Sequence, residues 1–329
     1  SRGTKVVLNY APQTDIATKP TTNWKNLPYK SEGLDHKVEL TDSETIVDSR
    51  IKTAGVPTKA SVEGDIEVEF AKSAFDDLIE AAAGNLWTTN KLIFGGNVQK
   101  MFAIEKAFSD VAVYHYFKGM RVNTFKLDIP QQGFIGATFG FTGQGYETGA
   151  TAYSATPAAT SVAQKASSIT VGDIKINGSS LKGVACATAF SFELNNNIDS
   201  VPCLGGGLYP QNLLEMMADI TGSMTLEYAT VAQGYLGNQI TGAPISIEAT
   251  IKTPDNSSYV LTIPKAQISG SLPTGVRHRI DGLEIHQSPT DTTSIVRHRI
   301  DGLENFEEEA RRKEYVRHRI DGLEILHLV

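Results

Sequence analysis

Between Gly64 and Phe70 the chain reads GDIEVEF, and its apolar and acidic residues alternate strictly. Alternation predicts a strand with Ile66, Val68 and Phe70 on one face and Asp65, Glu67 and Glu69 on the other. The period then lengthens. Ala71, Ala74, Phe75, Leu78, Ile79 and Ala82 recur at helical spacing, while Lys72, Asp76, Asp77 and Glu80 take the opposite side. Ser73 with Asp76 reads as a capping box, and Gly84 as a stop.

Further alternation predicts strands at Met101–Phe108, Val111–Val122 and Asn123–Ile129, the last setting Phe125, Leu127 and Ile129 against Lys126 and Asp128. In GFIGATFGFTG, Gly133 to Gly143, apolar residues alternate with Gly and Thr, so one strand face is nearly bare and suited to close backbone approach. Strands are also expected at Ile169–Ile176, Val184–Leu194, Ser223–Tyr228, Ile245–Lys252, Ser258–Ile263 and Gln267–Leu272. YPQNLLEMMADI, Tyr209 to Ile220, has the composition of a short helix.

The pattern repeats. GDIEVEFA at Gly64 is echoed by GSMTLEYA at Gly222, and a hairpin-like pair of strands follows each. That order of features predicts two similar β-units in tandem. The organisation read from this is an extended N-terminal arm over 1–36 with Val6–Tyr10 as a candidate short strand, a first unit over 37–147, an Ala/Thr/Ser-rich linker or long loop over 148–168, a second unit over 169–275, and an extension over 276–329. The extension carries VRHRIDGLE three times without variation, at Val276, Val296 and Val316. Diverged repeats keep only a pattern, so identical short copies read as an appended segment or an exposed extension, too short to bury much core.

Composition narrows the function. The chain has 329 residues, 40% hydrophobic, with a net charge of −7. That is enough apolar material for a packed core, and it gives no basic footprint for wrapping nucleic acid. No run of about 18 apolar residues is present to span a bilayer, and the first residues lack the apolar centre of a signal peptide. Cys186 and Cys203 stand apart without a metal-site spacing and are expected to be buried or inert thiols.

The carboxylate row is the first candidate for chemistry. Neighbours on one strand face lie roughly 6.5–7 Å apart, near the spacing of an inverting glycosidase pair. Such a pair needs a cleft and unequal environments, and one strand supplies equivalent solvated groups. Calcium sites draw several oxygens from a loop. An acidic solvated face is the simplest reading. His36 and His115 are the only histidines before the repeats; His115 reads as a satisfied sheet residue, and no motif of nucleophile and base accompanies either. No catalytic residue, cofactor or metal is assigned.

Taken in order, SETIVDSRIKTAGVPTKASVEGDIEVEFAKSAFDDLIEAAAGNLW and FAIEKAFSDVAVYHYFKGMRVNTFKLDIPQQGFIGATFGFTGQ resemble the major tail tube protein of long-tailed, non-contractile bacteriophages, over about residues 40–275. The resemblance implies a mainly β fold: tandem β-sandwich or half-barrel domains, each with a flanking helix, whose sheets join those of other copies into a closed oligomeric β-barrel ring. It implies rings that stack into a hollow tube in the virion tail, assembled in the host cytoplasm, with DNA passing through unbound. Implied partners are other copies of the chain and the tail terminator, tape measure and tail tip proteins. Two units per chain imply a trimer with pseudo-sixfold symmetry; a hexamer is the alternative. Asp65, Glu67, Glu69 and Glu227 are the candidate lumen-lining residues. After Gly275 the sequence departs from the family pattern, so either Ile280–Ile285 supplies the closing strand of the second unit or the terminus is replaced. The rival reading is a carbohydrate- or surface-binding β-sandwich, an adhesin or decoration module, although Trp24 and Trp87 stand isolated rather than clustered as sugar binding requires.

Overall fold

The computed structural model is mainly β. It describes residues 5–45, 54–226 and 241–270, parts of 234–238, and the backbone of short strands beyond residue 279. In chain order the first strands are β1 (Val6–Gln13), β2 (Lys25–Asn26), β3 (Ser31–Glu32), β4 (Asp35–Thr41) and β5 (Val56–Glu69). The helix α1 (Asp76–Ala83) follows, then β6 (Met101–Phe108), β7 (Val113–Ile129), β8 (Gly136–Gly143) and β9 (Gly145–Gly149). Next come β10 (Val171–Ile176), β11 (Ser179–Ser180), β12 (Ala187–Asn195), β13 (Asp199–Val201), β14 (Asn212–Leu214), β15 (Asp219–Leu226), β16 (Ile245–Lys252), β17 (Ser258–Ala266) and β18 (Ser269–Gly270).

One strand organises the main eleven-stranded sheet, which curls into a half-barrel. The 17 residues of β7 pair with β6 and β9 through Val113–Met120, and with β8 and β12 through their C-terminal part. Asn123–Ile129 therefore continues the preceding strand instead of forming a separate one. Outward from β8 the order is β5, then β3 and β4 along one edge; outward from β12 comes β15. A second sheet has the order β11–β10–β16–β17.

Alternation decides which face is dry. Directly opposite residues in antiparallel strands share a face. Ile66, Phe139, Phe125, Leu194 and Ile220 line up across five strands, and Val68, Ala137, Leu127, Phe192 and Gly222 form the next row. The side chains of both rows are buried. Phe125 stacks on Phe139 with centroids 5.2 Å apart and meets Phe192 edge-on at 6.2 Å. The helix covers the first row, with Leu78, Ile79 and Ala82 buried and Phe75 6.1 Å from Phe139.

The helix begins later than its sequence suggests. Ser73 sits at φ 56° and makes no cap; Phe75 is the N-cap residue, without a side-chain bond. Instead the Ser73 amide donates to Tyr259 Oη at 2.8 Å, and Tyr259 donates to Asp76 at 2.9 Å, tying the helix start to the second sheet. Gly84 ends the helix in the left-handed region as expected, φ 62°.

Three other expectations change. Val6–Gln13 is a sheet strand between β2 and β6, with Leu8, Tyr10 and Ala11 buried, so this part of 1–36 belongs to the body. The Ala/Thr/Ser stretch at 148–168 also packs. Fully buried Glu105 accepts bonds from Asn9 Nδ2 at 3.1 Å, from the Tyr153 and Ser154 amides and from Ser154 Oγ, which holds the stretch down. A buried carboxylate needs that many donors. Tyr209–Ile220 is no helix. It contributes β14, which pairs with β13, and enters β15. Leu213 is buried while Leu214, Met216 and Met217 are exposed, so no single apolar stripe exists for a helix to bury, and strand partners override propensity.

Cys186 and Cys203 are free and exposed, not buried. Within the repeats, β19 (Ile280–Asp281), β20 (Leu283–Glu284), β21 (Arg299–Glu304), β22 (Tyr315–Ile320) and β23 (Leu323–Leu328) are strands; β20 pairs with β18 and the others form a separate small sheet.

Because Phe192 fills the gap between Phe125 and Phe94, Phe192→Ala is expected to cost about 3–5 kcal/mol. Denaturant unfolding of the purified chain reads this as a lowered midpoint.

Candidate functional site: a polar sheet face

The alternate residues of the same five strands point away from the core, and they too form rows. Asp65, Gly140, Thr124, Asn195 and Asp219 make one. Glu67, Thr138, Lys126, Glu193 and Thr221 make the second, and Glu69, Gly136, Asp128, Ser191 and Ser223 the third. No apolar side chain interrupts them. Six carboxylates face one lysine within these fifteen positions.

The acidic row expected on β5 is therefore one margin of a wider polar face. Asp65, Glu67 and Glu69 lie where alternation places them, with Ile66 and Val68 buried behind. Glu227 lies outside the described residues. Sequence reasoning missed Glu193 and Asp219, as well as the Thr and Ser positions of β12 and β15. Alternation at Asn123–Ile129 had already exposed Lys126 and Asp128. Nothing local signals that β12 pairs with β7, and the helix reading of Tyr209–Ile220 hid Asp219.

Flanking lysines temper the charge. Lys30 Nζ lies 2.6 Å from Glu67, which also accepts from Ser31 Oγ at 2.9 Å. Lys165 pairs with Glu69, Lys126 sits 3.0 Å from Asp128, and just beyond the rows Lys37 sits 3.2 Å from Glu63. These pairs are partly exposed and each contributes little to stability. They do set ionisation. The bonds from Lys30 and Ser31 hold Glu67 below the usual carboxylate range. Whatever stability this adds is present above the ordinary glutamate pKa and is lost as pH falls through the lowered value.

The face is smooth as well as polar. A β-carbon on Gly140 would meet Thr124 Oγ1 at 2.1 Å and Asp65 Oδ1 at 2.7 Å. The bare glycine lets those two side chains lie flat across β8, as the sparse face of Gly133–Gly143 suggested. Gly64 is equally constrained, at φ 154° with the Gly33 carbonyl 2.2 Å from where its β-carbon would be.

The carboxylates of this arrangement repel one another, and the flanking lysines partly offset that repulsion. Among the described residues, no group of three or more His, Cys, Asp or Glu is placed to hold a metal ion. His115 Nδ1 is engaged by Tyr146 Oη at 2.5 Å, and His36 stacks on Tyr146 and bonds Tyr209. Trp24 is buried, while Trp87 is half-buried with its ring 6.4 Å from that of Tyr259. A half-barrel with one dry face and one acidic face suits a structural role. The family comparison agrees: the profile of the phage tail tube protein matches residues 3–282, and the chain belongs to that family. Its role is thus structural, in the tail of the virion, as a component that self-assembles into the tube. No curated protein matches the sequence.

Removing the donor that depresses Glu67 provides a test of the local electrostatics. Lys30→Ala should raise the Glu67 pKa toward its ordinary value. Carboxyl-carbon NMR titration would read the shift, and an unmoved pKa would show that Ser31 alone sets it.

Proposed function

We propose that this chain builds the tail tube of a long-tailed, non-contractile phage as stacked rings, with the face formed by β5, β8, β7, β12 and β15 lining the channel through which DNA leaves. The observation that carries the proposal is the three polar rows, a sheet surface with carboxylates in excess and glycine or hydroxyl residues between them. A wall of that kind repels phosphate weakly, and its one lysine, Lys126, is paired with Asp128 instead of standing alone as a cation at which the cargo would stall. In this reading Asp65, Glu67 and Glu69 face the lumen, and Glu227 extends the acidic positions on the second unit. DNA passes without specific binding.

The edges of the sheet support assembly. Among the described residues β3 and β4 pair only with β5, so one margin of the half-barrel is unpaired. Unpaired margins invite strand addition, and closure into a barrel removes them. Tandem units over 37–147 and 169–275 favour three chains per ring with pseudo-sixfold symmetry over six; mass measurement of a solubilised ring distinguishes the two. Tube ends would be met by the tail terminator and tail tip proteins, and the lumen would hold the tape measure before ejection.

The lumen assignment is tested by charge reversal. Phage carrying D65K, E67K and E69K should form tubes of normal diameter by electron microscopy but deliver their genomes more slowly, while a D65N/E67Q/E69Q control should lie between. Unimpaired delivery by the lysine variant overturns the assignment.

A further inference from the structure

The pairing of β12 with β15 repeats that of β3 and β4 with β5 at a constant displacement of 158 positions. Glu32 is opposite Ile66, and Phe190 is opposite Met224. Asp35 is opposite Glu63, and Glu193 is opposite Thr221; Lys37 is opposite Ser61, and Asn195 is opposite Asp219. The following hairpins agree in a finer detail. Between β6 and β7 the register slips by one residue between the Ile104–Phe117 and Phe102–Met120 pairs; between β16 and β17 it slips between Ile247–Ile263 and Ile245–Ala266. A slip at the same place in two hairpins aligns Met120 with Ala266, and hence Thr124 with Gly270 in β18. As β8 lies between β5 and β7, so β20 pairs with β18 and approaches β15.

Two equivalent series therefore follow one another, β3/β4–β5–β8–β7 and then β12–β15 with the β20–β18 pair beside β15. They meet at a single junction, where β7 pairs with β12 over six consecutive positions, from Thr124 opposite Asn195 to Ile129 opposite Phe190. Each side of that junction has a counterpart at a margin of the molecule. Among the described residues, the counterpart of β12 is Glu32–Lys37, paired only with β5, and that of the C-terminal part of β7 begins at β18, paired only with β20.

We propose that β18 of one copy pairs antiparallel with β3–β4 of the next, in the register of the internal junction, so that Lys37 of one chain lies opposite Gly270 of its neighbour. The occupant of each margin is a second copy of this chain, because the chain already contains the mating contact once. The two margins are unlike, so the contact is heterologous and propagates in one rotational sense, which a ring closes. The inference rests on the self-assembly read under the proposed function and adds the strands and the register.

Cysteine cross-linking tests it. Cys186 and Cys203 are exposed and free, so both are first changed to Ser. Opposite residues in antiparallel strands lie about 4.5–5.5 Å apart between α-carbons, within reach of a disulfide. T124C/N195C reports the internal junction and should lose its free thiols on oxidation while migrating as a monomer. K37C/G270C should give covalent oligomers from assembled tubes, and a mixture of the two single variants should stop at dimers. Tubes in which the K37C/G270C thiols remain free, while T124C/N195C closes, overturn the proposal. Hydrogen exchange on unmodified protein provides a second reading: those backbone amides of Glu32–Lys37 that point away from β5 should slow about 100-fold on assembly, and no change overturns the pairing. Absence of any ring or tube from the unmodified chain, with T124C/N195C still closing, rejects the assembly reading instead.

Discussion

Everything in this molecule depends on the two-residue period of five paired strands held in one register. Because side chains alternate strictly, the pairing that buries Phe125, Phe139 and Phe192 also turns Thr124, Lys126 and Asp128 to the opposite side. A slip of one residue would exchange the faces, setting carboxylates against the helix and phenylalanines against solvent. The aromatic cluster thus stabilises the polar surface indirectly, through register. No residue of the acidic face has to be held by strong bonds of its own.

That division of labour explains why the surface tolerates so much like charge. Burying one phenylalanine side chain is worth about 1.5–3 kcal/mol, against at most about 1 kcal/mol for an exposed ion pair. Lys30, Lys126 and Lys165 soften the repulsion among Glu67, Asp128 and Glu69 without neutralising the face. The sheet is coherent on its apolar side and acidic on its polar side, with glycines at 136 and 140 keeping β8 thin.

Long β7 links local and global order. Its first half closes a hairpin with β6, and its second half accepts β12 from far along the chain. Within β6, Glu105 is a buried carboxylate whose donors come from β1 and from the stretch after β9. The Ala/Thr/Ser-rich stretch has few large apolar groups, so composition suggests a linker. What packs it is its backbone, through amides that satisfy Glu105 and bridges to Lys25 and Ala71.

Local periodicity was sufficient for the strand at Asp65–Phe70, the acidic row it carries, the body of α1 with its Gly84 stop, the hairpins, and the recurrence of GDIEVEFA as GSMTLEYA, because each is written within a few residues of itself. Family membership was legible from the order of those same pieces. Tertiary structure alone decided that β12 lies beside β7, that Glu193 and Asp219 join the acidic face, and that Tyr209–Ile220 supplies strand rather than helix. The reason is physical: side-chain alternation records which way a residue points within its own strand, but the identity of the neighbouring strand is settled by non-local hydrogen bonds and by the fit of Phe192 against Phe125, contacts between residues far apart in the chain.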